Sequence, residues 1–122
     1  MKTYKNTKIL IATGGTGGHI FPAYSLAKNL IKNDYDVEIV TDQRGFKFLK
    51  KYKDLKLTIN NSSTVFKKKF FSMIWSIFII LFSYFKSLWI LYRVKPSLVF
   101  GMGGYASFPV CLAAKTLRTP FV

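Results

Sequence analysis

Two short stretches hold the residue types that chemistry needs. TGGTGGHIFP at 13–22 sets Gly14, Gly15, Gly17 and Gly18 beside His19, the only histidine of the 122-residue chain. Some ninety residues later GMGGYASFP at 101–109 repeats the device, again with paired glycines and a closing Phe-Pro. Glycine lets a backbone turn tightly and approach a ligand closely, and the first N–H groups of a following helix lack partners within it. A glycine loop that runs into a helix is therefore a cradle for an anion, with phosphate or diphosphate the natural guest. His19 adds a side chain able to take a proton from an attacking hydroxyl or to steady a phosphate. Neither loop contains a carboxylate, so His19 is the first choice for a base and Asp42 a distant second.

Neither loop is a standard nucleotide fingerprint. After Gly15, Gly17 and Gly18 the third glycine of the dinucleotide pattern is missing, and no Lys-Ser/Thr pair follows to make a Walker loop. Asp42 stands 24 residues after Gly18, about where an acid holds a ribose in nicotinamide enzymes. The plainer alternative is that each loop is only a tight strand-to-helix turn, but two loops with matching ends favour function.

The loops need a scaffold, and the flanking patterns supply one. KILIAT (8–13) reads as a buried parallel strand that stops at glycine. Pro22 stands where a first helical turn would start, followed by Ala23, Leu26, Ala27, Leu30 and Ile31 at helical spacing. VEIVT (37–41) is a second strand, so the first 41 residues form a βαβ unit. A helix near 43–53, a weaker strand LKLTI (55–59), a polar loop NNSST (60–64), a strand SLVF (97–100) and a helix VCLAAKTLR (110–118) follow. TPFV opens one more strand. The expected class is α/β, a Rossmann-like parallel sheet with helices on both faces, whose carboxyl edge is where ligands bind.

Composition sets the remaining bounds. Nineteen Lys and Arg oppose five Asp and Glu, a net +14, and beyond Asp54 every charged side chain is basic. Such a chain favours a polyanion: nucleic acid, an anionic membrane surface or a diphosphate-bearing substrate. A lysine-rich composition that merely keeps the protein soluble is the bland alternative. No nucleic-acid partner is expected, because the aromatics cluster in one apolar stretch and do not interleave with lysines as stacking platforms would. Cys111, the single cysteine, excludes an intrachain disulfide and a cysteine-based zinc site. It sits in an apolar run and reads as a buried structural thiol in a reducing, cytosolic compartment. The five-residue apolar run at the N-terminus is too short for a signal-peptide core, so no export is expected.

FFSMIWSIFIILFSYF (70–85) is sixteen residues without a charge, introduced by Lys67, Lys68 and Lys69 and followed by Lys86, Arg93 and Lys95. As a helix it is about 24 Å long, short of the ~30 Å hydrocarbon core of a bilayer. Lys69, Ser72, Ser76, Ser83 and Ser87 fall on one narrow stripe, which leaves the rest of the circumference apolar. A sheet covers only one face. Trp75, Ile79 and Phe82, with Lys68, Lys69 and Lys86 beside them, describe an interfacial membrane contact; burial against another part of the protein and a true span are the alternatives.

GGTGGHIFP and GMGGYASFP, in wording and separation, resemble the two N-terminal glycine loops of the MurG family. That resemblance implies a GT-B fold of two domains and an inverting transfer of N-acetylglucosamine from UDP-N-acetylglucosamine to undecaprenyl-diphosphate-linked muramyl-pentapeptide, without a metal or other cofactor. It implies UDP-sugar contacts from Thr16, Gly17 and Gly18, the acceptor diphosphate and a base role at His19, and an acceptor pocket lined by Gly103, Gly104, Tyr105 and Ser107. It also implies peripheral attachment to the cytoplasmic face of the bacterial plasma membrane. On this reading residues 1–122 are the acceptor-binding Rossmann-like domain, truncated, with the donor-binding domain absent. A non-catalytic, membrane-anchoring acceptor subunit of a split GT-B transferase is the alternative.

Overall fold

The computed structural model describes residues 7–14, 17–52, 54–60, 72–103 and 107–122. Strands β1 (Lys8–Thr13), β2 (Asp36–Thr41), β3 (Lys56–Ile59) and β4 (Leu98–Gly101) alternate with helices α1 (Gly17–Lys32), α2 (Gln43–Leu49), α3 (Ser72–Val94) and α4 (Ser107–Thr116). All strand pairs are parallel, in the order β3-β2-β1-β4. Beside β4, Val99 N–H donates to Pro120 O and Val122 N–H to Val99 O, so TPFV does lie down as a further parallel strand position.

Alternate residues of β1 explain why its sequence is apolar throughout. Ile9 and Ile11 join Val37, Ile39, Leu49 and Leu55 under α1 and α2, while Leu10 and Ala12 join Val40, Val99, Val110 and Ala113 under α3 and α4. A strand buried on both faces cannot afford polar alternation. Helices on both faces follow directly.

Two boundaries differ from the sequence pattern. α1 begins at Gly17, five residues before Pro22, so this proline is inside the helix and not at its start. Having no N–H, Pro22 leaves the Gly18 carbonyl without its usual helical donor. α4 likewise begins at Ser107, with Pro109 in its first turn, three residues ahead of the expected start. At the other ends, Asp34, Lys95 and Arg118 close their helices with left-handed backbone (φ 69°, 52° and 58°), a conformation more often given to glycine.

α3 packs with Ser83 and Ser87 inward. Asn60, buried at the end of β3, donates from Nδ2 to Ser83 O at 3.2 Å and to Ser87 Oγ at 2.7 Å, and Ser87 Oγ donates to Ser83 O at 2.6 Å. A buried amide must be hydrogen-bonded, and the small polar stripe of α3 does this while Ile90, Leu91 and Val94 fill the core. The large side chains are thereby turned outward. Phe78, Phe82, Phe85, Trp89 and Tyr92 form one exposed row, 59–73% accessible. No helix among the described residues is long and apolar enough to cross a membrane.

Candidate functional site

β1 leads to β2 on one side and β4 lies on its other side, so the chain leaves the two central strands in opposite directions. In an open parallel sheet the crevice at that reversal, outside the carboxyl ends, is the ligand position. Both glycine loops open into it: Gly14 follows β1 and Met102–Gly103 follow β4.

The two loops are joined. Gly14 N–H donates to Gly103 O at 2.9 Å, and Met102 N–H donates to Ala12 O at 2.8 Å. Gly103 has φ +101°, which a side chain rarely tolerates. A Cβ there would lie 2.7 Å from both Cε1 and Nδ1 of His19. The imidazole therefore packs directly over the bare Gly103 backbone, half-buried, in the first turn of α1. The only histidine is thus clasped between the loops, one on each side of the switch point.

Electrostatics at this edge favour an anion. Neither α1 nor α4 has an acidic residue in its first turn, so the positive ends of both helix dipoles, roughly +0.5 charge each, face the crevice unopposed. Three of the five carboxylates are in ion pairs: Asp36 with Lys56 at 2.8 Å, Glu38 with Arg93 at 3.2 Å and Asp54 with Lys28 at 2.8 Å. Lys28 holds the Asp54 carboxyl below its ordinary range by hydrogen bond and charge. Among the described residues no group of three or more His, Cys, Asp or Glu could hold a metal ion.

Asp42 does not reach for a ribose. It is the N-cap of α2, with Oδ1 accepting from Gly45 N–H at 2.9 Å, and it is buried. The strand-end acid that spacing alone suggested for a sugar hydroxyl therefore satisfies a helix terminus. Beside it Gly45 is packed so tightly that a Cβ would collide with Thr41 Oγ1 and lie 2.8 Å from Ile20 Cδ1. Gly45→Ala is expected to lower stability by about 1–3 kcal/mol through overpacking between α2 and the first turn of α1, measurable as a reduced midpoint in urea unfolding.

The remaining expected site residues separate into those placed and those not. Gly17 and Gly18 open α1, and Ser107 opens α4 and is buried. Gly15, Thr16, Gly104, Tyr105, Lys68 and Lys69 lie outside the described residues, as do the side chains of Trp75 and Ile79. Phe82 is 73% exposed and Lys86 half-buried. Cys111 is half-buried, and burial pushes its thiol pKa up, as suits a structural role. The sequence reading passes over Phe21 and Phe108, the phenylalanines of the two Phe-Pro pairs, which stand exposed near the starts of α1 and α4. Their signal was the shared Phe-Pro ending of the loops.

Residues 9–122 match the glycosyltransferase family 28 N-terminal domain. The chain belongs to that family. Among curated relatives, UDP-N-acetylglucosamine--N-acetylmuramyl-(pentapeptide) pyrophosphoryl-undecaprenol N-acetylglucosamine transferase of Bartonella henselae is 38% identical over 110 residues, covering 90% of this chain and 29% of the relative. The enzyme of the same name from the Wolbachia of Brugia malayi is 40% identical over 114 residues, covering 93% of this chain and 31% of its own. The crystal structure of Acinetobacter baumannii MurG superposes with a TM-score of 0.79 at 26% identity, over 94% of this chain and 34% of that one. The Streptomyces sp. SF2575 glycosyltransferase SsfS6, TM-score 0.71 at 18% identity over 95% of this chain and 38% of that one, shares the fold. This family 28 domain is thus a member of the MurG group with the N-terminal GT-B architecture, and its curated relatives are N-acetylglucosamine transferases by name. The chain spans under a third of the length of the two curated relatives. They do not favour the split-subunit alternative.

Proposed function

We propose that this family 28 domain is the acceptor-binding domain of an inverting transferase that moves N-acetylglucosamine from UDP-N-acetylglucosamine to undecaprenyl-pyrophosphoryl-MurNAc-pentapeptide, converting lipid I to lipid II. The observation that carries the reading is the clasp: two glycine loops joined through Gly14 and Gly103, with the His19 ring laid over Gly103 at the switch point of the sheet. The domain in this reading is 1–122, and the donor-binding domain lies outside it.

His19 takes the proton from the acceptor C4 hydroxyl as that oxygen attacks the anomeric carbon of the donor sugar. The bond from that carbon to the UDP oxygen breaks, UDP leaves, and attack from the opposite face inverts the centre. The first-turn amides of α4, with Gly14, Gly15, Gly103, Gly104, Tyr105 and Ser107, hold the acceptor diphosphate. Thr16, Gly17 and Gly18 reach the UDP-sugar. Neither a metal nor a cofactor is required in this scheme, because the helix ends and the excess basic charge supply the positive field.

The outer row of α3 docks the domain on the cytoplasmic face of the plasma membrane. Trp89 stacks under the Arg93 guanidinium at 5.2 Å and Tyr92 under Lys95 at 5.6 Å, pairing aromatic surface with cations as an anionic interface demands. Each basic residue near such a surface adds roughly 1 kcal/mol. Phe82→Ser with Phe85→Ser is expected to reduce partition onto phosphatidylglycerol-containing vesicles by about tenfold or more, and raised salt to weaken binding further, as read by vesicle co-sedimentation. Nucleic acid is not a partner in this reading.

The test of function is transfer itself. The product of the complete reading frame is incubated with labelled UDP-N-acetylglucosamine and the lipid-linked acceptor, and the label is followed into the lipid phase. No transfer by a folded, membrane-bound product would sink the assignment.

A further inference from the structure

α1 and α2 lie side by side on the face of the sheet opposite α3, and three contacts set them in step. A Cβ at Gly45 would lie 2.8 Å from Ile20 Cδ1, the Tyr24 and Tyr52 rings stack at 4.3 Å between centroids, and Lys28 Nζ meets Asp54 Oδ2 at 2.8 Å. Phe21 shares a stripe of α1 with Tyr24 and Lys28, at spacings of three and four. Phe48 lines up in the same way with Gly45 and with Tyr52 in the turn that follows α2. Both phenylalanines therefore border the seam between the helices, 61% and 48% exposed.

Cations flank this aromatic surface. Arg44 stands four residues before Phe48 and Lys51 three after it, both exposed, and among the described residues neither has a carboxylate partner. Lys51 Nζ lies instead over the Tyr52 ring, 5.3 Å from its centroid. A bilayer that meets the outer row of α3 does not reach them, because α1 and α2 pack on the other face of the sheet. The seam opens at the ligand edge: Phe21 comes two residues after His19, whose ring covers Gly103. From His19 to the level of Tyr24 the helix rises about 7.5 Å, and neighbouring helices lie about 8–10 Å apart. An occupant that starts beside His19, crosses the aromatics and ends on Arg44 and Lys51 is a short anionic chain with apolar side groups.

We infer that the α1–α2 seam binds the peptide of the muramyl-pentapeptide acceptor, with Phe21 and Phe48 against its side chains and Arg44 and Lys51 on its carboxylate. The inference rests on the transfer function proposed above and adds a subsite to it. The muramyl lactyl carboxyl takes the N-terminus of the peptide as an amide, so the peptide keeps a C-terminal carboxylate with no terminal ammonium to offset it. Five extended residues span about 17 Å, enough to run from the crevice to the far rim of the seam. Hydrogen bonds from Arg and Lys to a carboxylate are among the stronger polar contacts. The sheet then divides the acceptor: the lipid lies on the α3 side, the reacting sugar beside His19, and the peptide over α1 and α2, away from the bilayer.

The test uses the product of the complete reading frame and two acceptors: the lipid-linked muramyl-pentapeptide, and the same lipid-linked muramyl group with a methylamide in place of the peptide. The pentapeptide acceptor is expected to show a KM about tenfold lower, the scale of one hydrogen bond to a charged group. Arg44→Glu with Lys51→Glu should bring the two KM values together by raising that of the pentapeptide acceptor, with kcat little changed. Phe48→Ser, an independent variant at an exposed site, should narrow the gap as well. Lys32→Glu, at the far end of α1, changes charge on the same face outside the seam and should keep the preference. Equal KM values for the wild type overturn the peptide subsite while leaving the transfer function, and absence of transfer to either acceptor overturns both. A preference that survives Arg44→Glu/Lys51→Glu and Phe48→Ser, or that Lys32→Glu removes equally, also overturns the subsite. So does a rise in KM that is the same for both acceptors, which would assign the seam to a contact that does not involve the peptide.

Discussion

His19→Ala is expected to reduce transfer by the complete reading frame product roughly 10²-fold or more, with acceptor affinity changed far less. General-base catalysis by a positioned side chain contributes about 10²–10⁴-fold, and no carboxylate is placed to substitute: Asp34 follows the C-terminal end of α1, at the opposite edge of the sheet. Asp42 is buried and caps α2, while Asp36, Glu38 and Asp54 are in ion pairs. The measurement is kcat for transfer alongside a separate Kd for the acceptor. A wild-type kcat in the alanine variant would remove His19 from the base role; a normal kcat with a weakened Kd would reassign it to diphosphate binding.

Gly103→Ala is expected to act twice. Its backbone sits at φ +101°, where an alanine is strained by about 1–2 kcal/mol, so the melting temperature should fall by several degrees. The added Cβ would also stand 2.7 Å from two atoms of the His19 ring, which must swing away. Transfer should therefore fall toward the level of His19→Ala. A double-mutant cycle separates the effects: if Gly103 works through His19, adding Gly103→Ala to His19→Ala costs little more in kcat, whereas independent roles would add. A Gly103→Ala variant that loses stability but keeps its turnover would mark Gly103 as a turn residue only.

These expectations depend on a contact that no linear pattern displays. His19 and Gly103 are 84 positions apart, and what brings them together is the parallel pairing of β1 with β4, in which Ala12 stands opposite Gly101. Each glycine loop was legible by itself, because glycine runs that end strands have few other physical readings. That the loops form one site, with the ring of one laid on the backbone of the other, came from the sheet.

The strands were the most legible elements. β1 and β2 are rich in β-branched residues and buried on two faces, so the pattern of their side chains alone defines them. Helix starts are less legible: the pattern opens the first helix at Pro22 and the last at Val110, but Gly17 and Ser107 begin them, since a proline near a helix start costs few hydrogen bonds and does not mark its first residue. The position of Asp42 at a strand end fits a sugar-binding acid and a helix cap equally well. Only the hydrogen bond from Gly45 distinguishes them.

For α3 the stripe of serines and the apolar remainder were both apparent, but periodicity has no sign: it shows that a helix has two unlike faces without saying which is inside. The buried Asn60 decides this, because its amide needs partners and Ser83 and Ser87 provide them. Local composition and spacing thus determined the α/β class and singled out both glycine loops and the single histidine. Tertiary structure decided which helix face is exposed, which acid is silent and which glycine holds the histidine, because each depends on groups distant in sequence competing for the same buried hydrogen bonds and space.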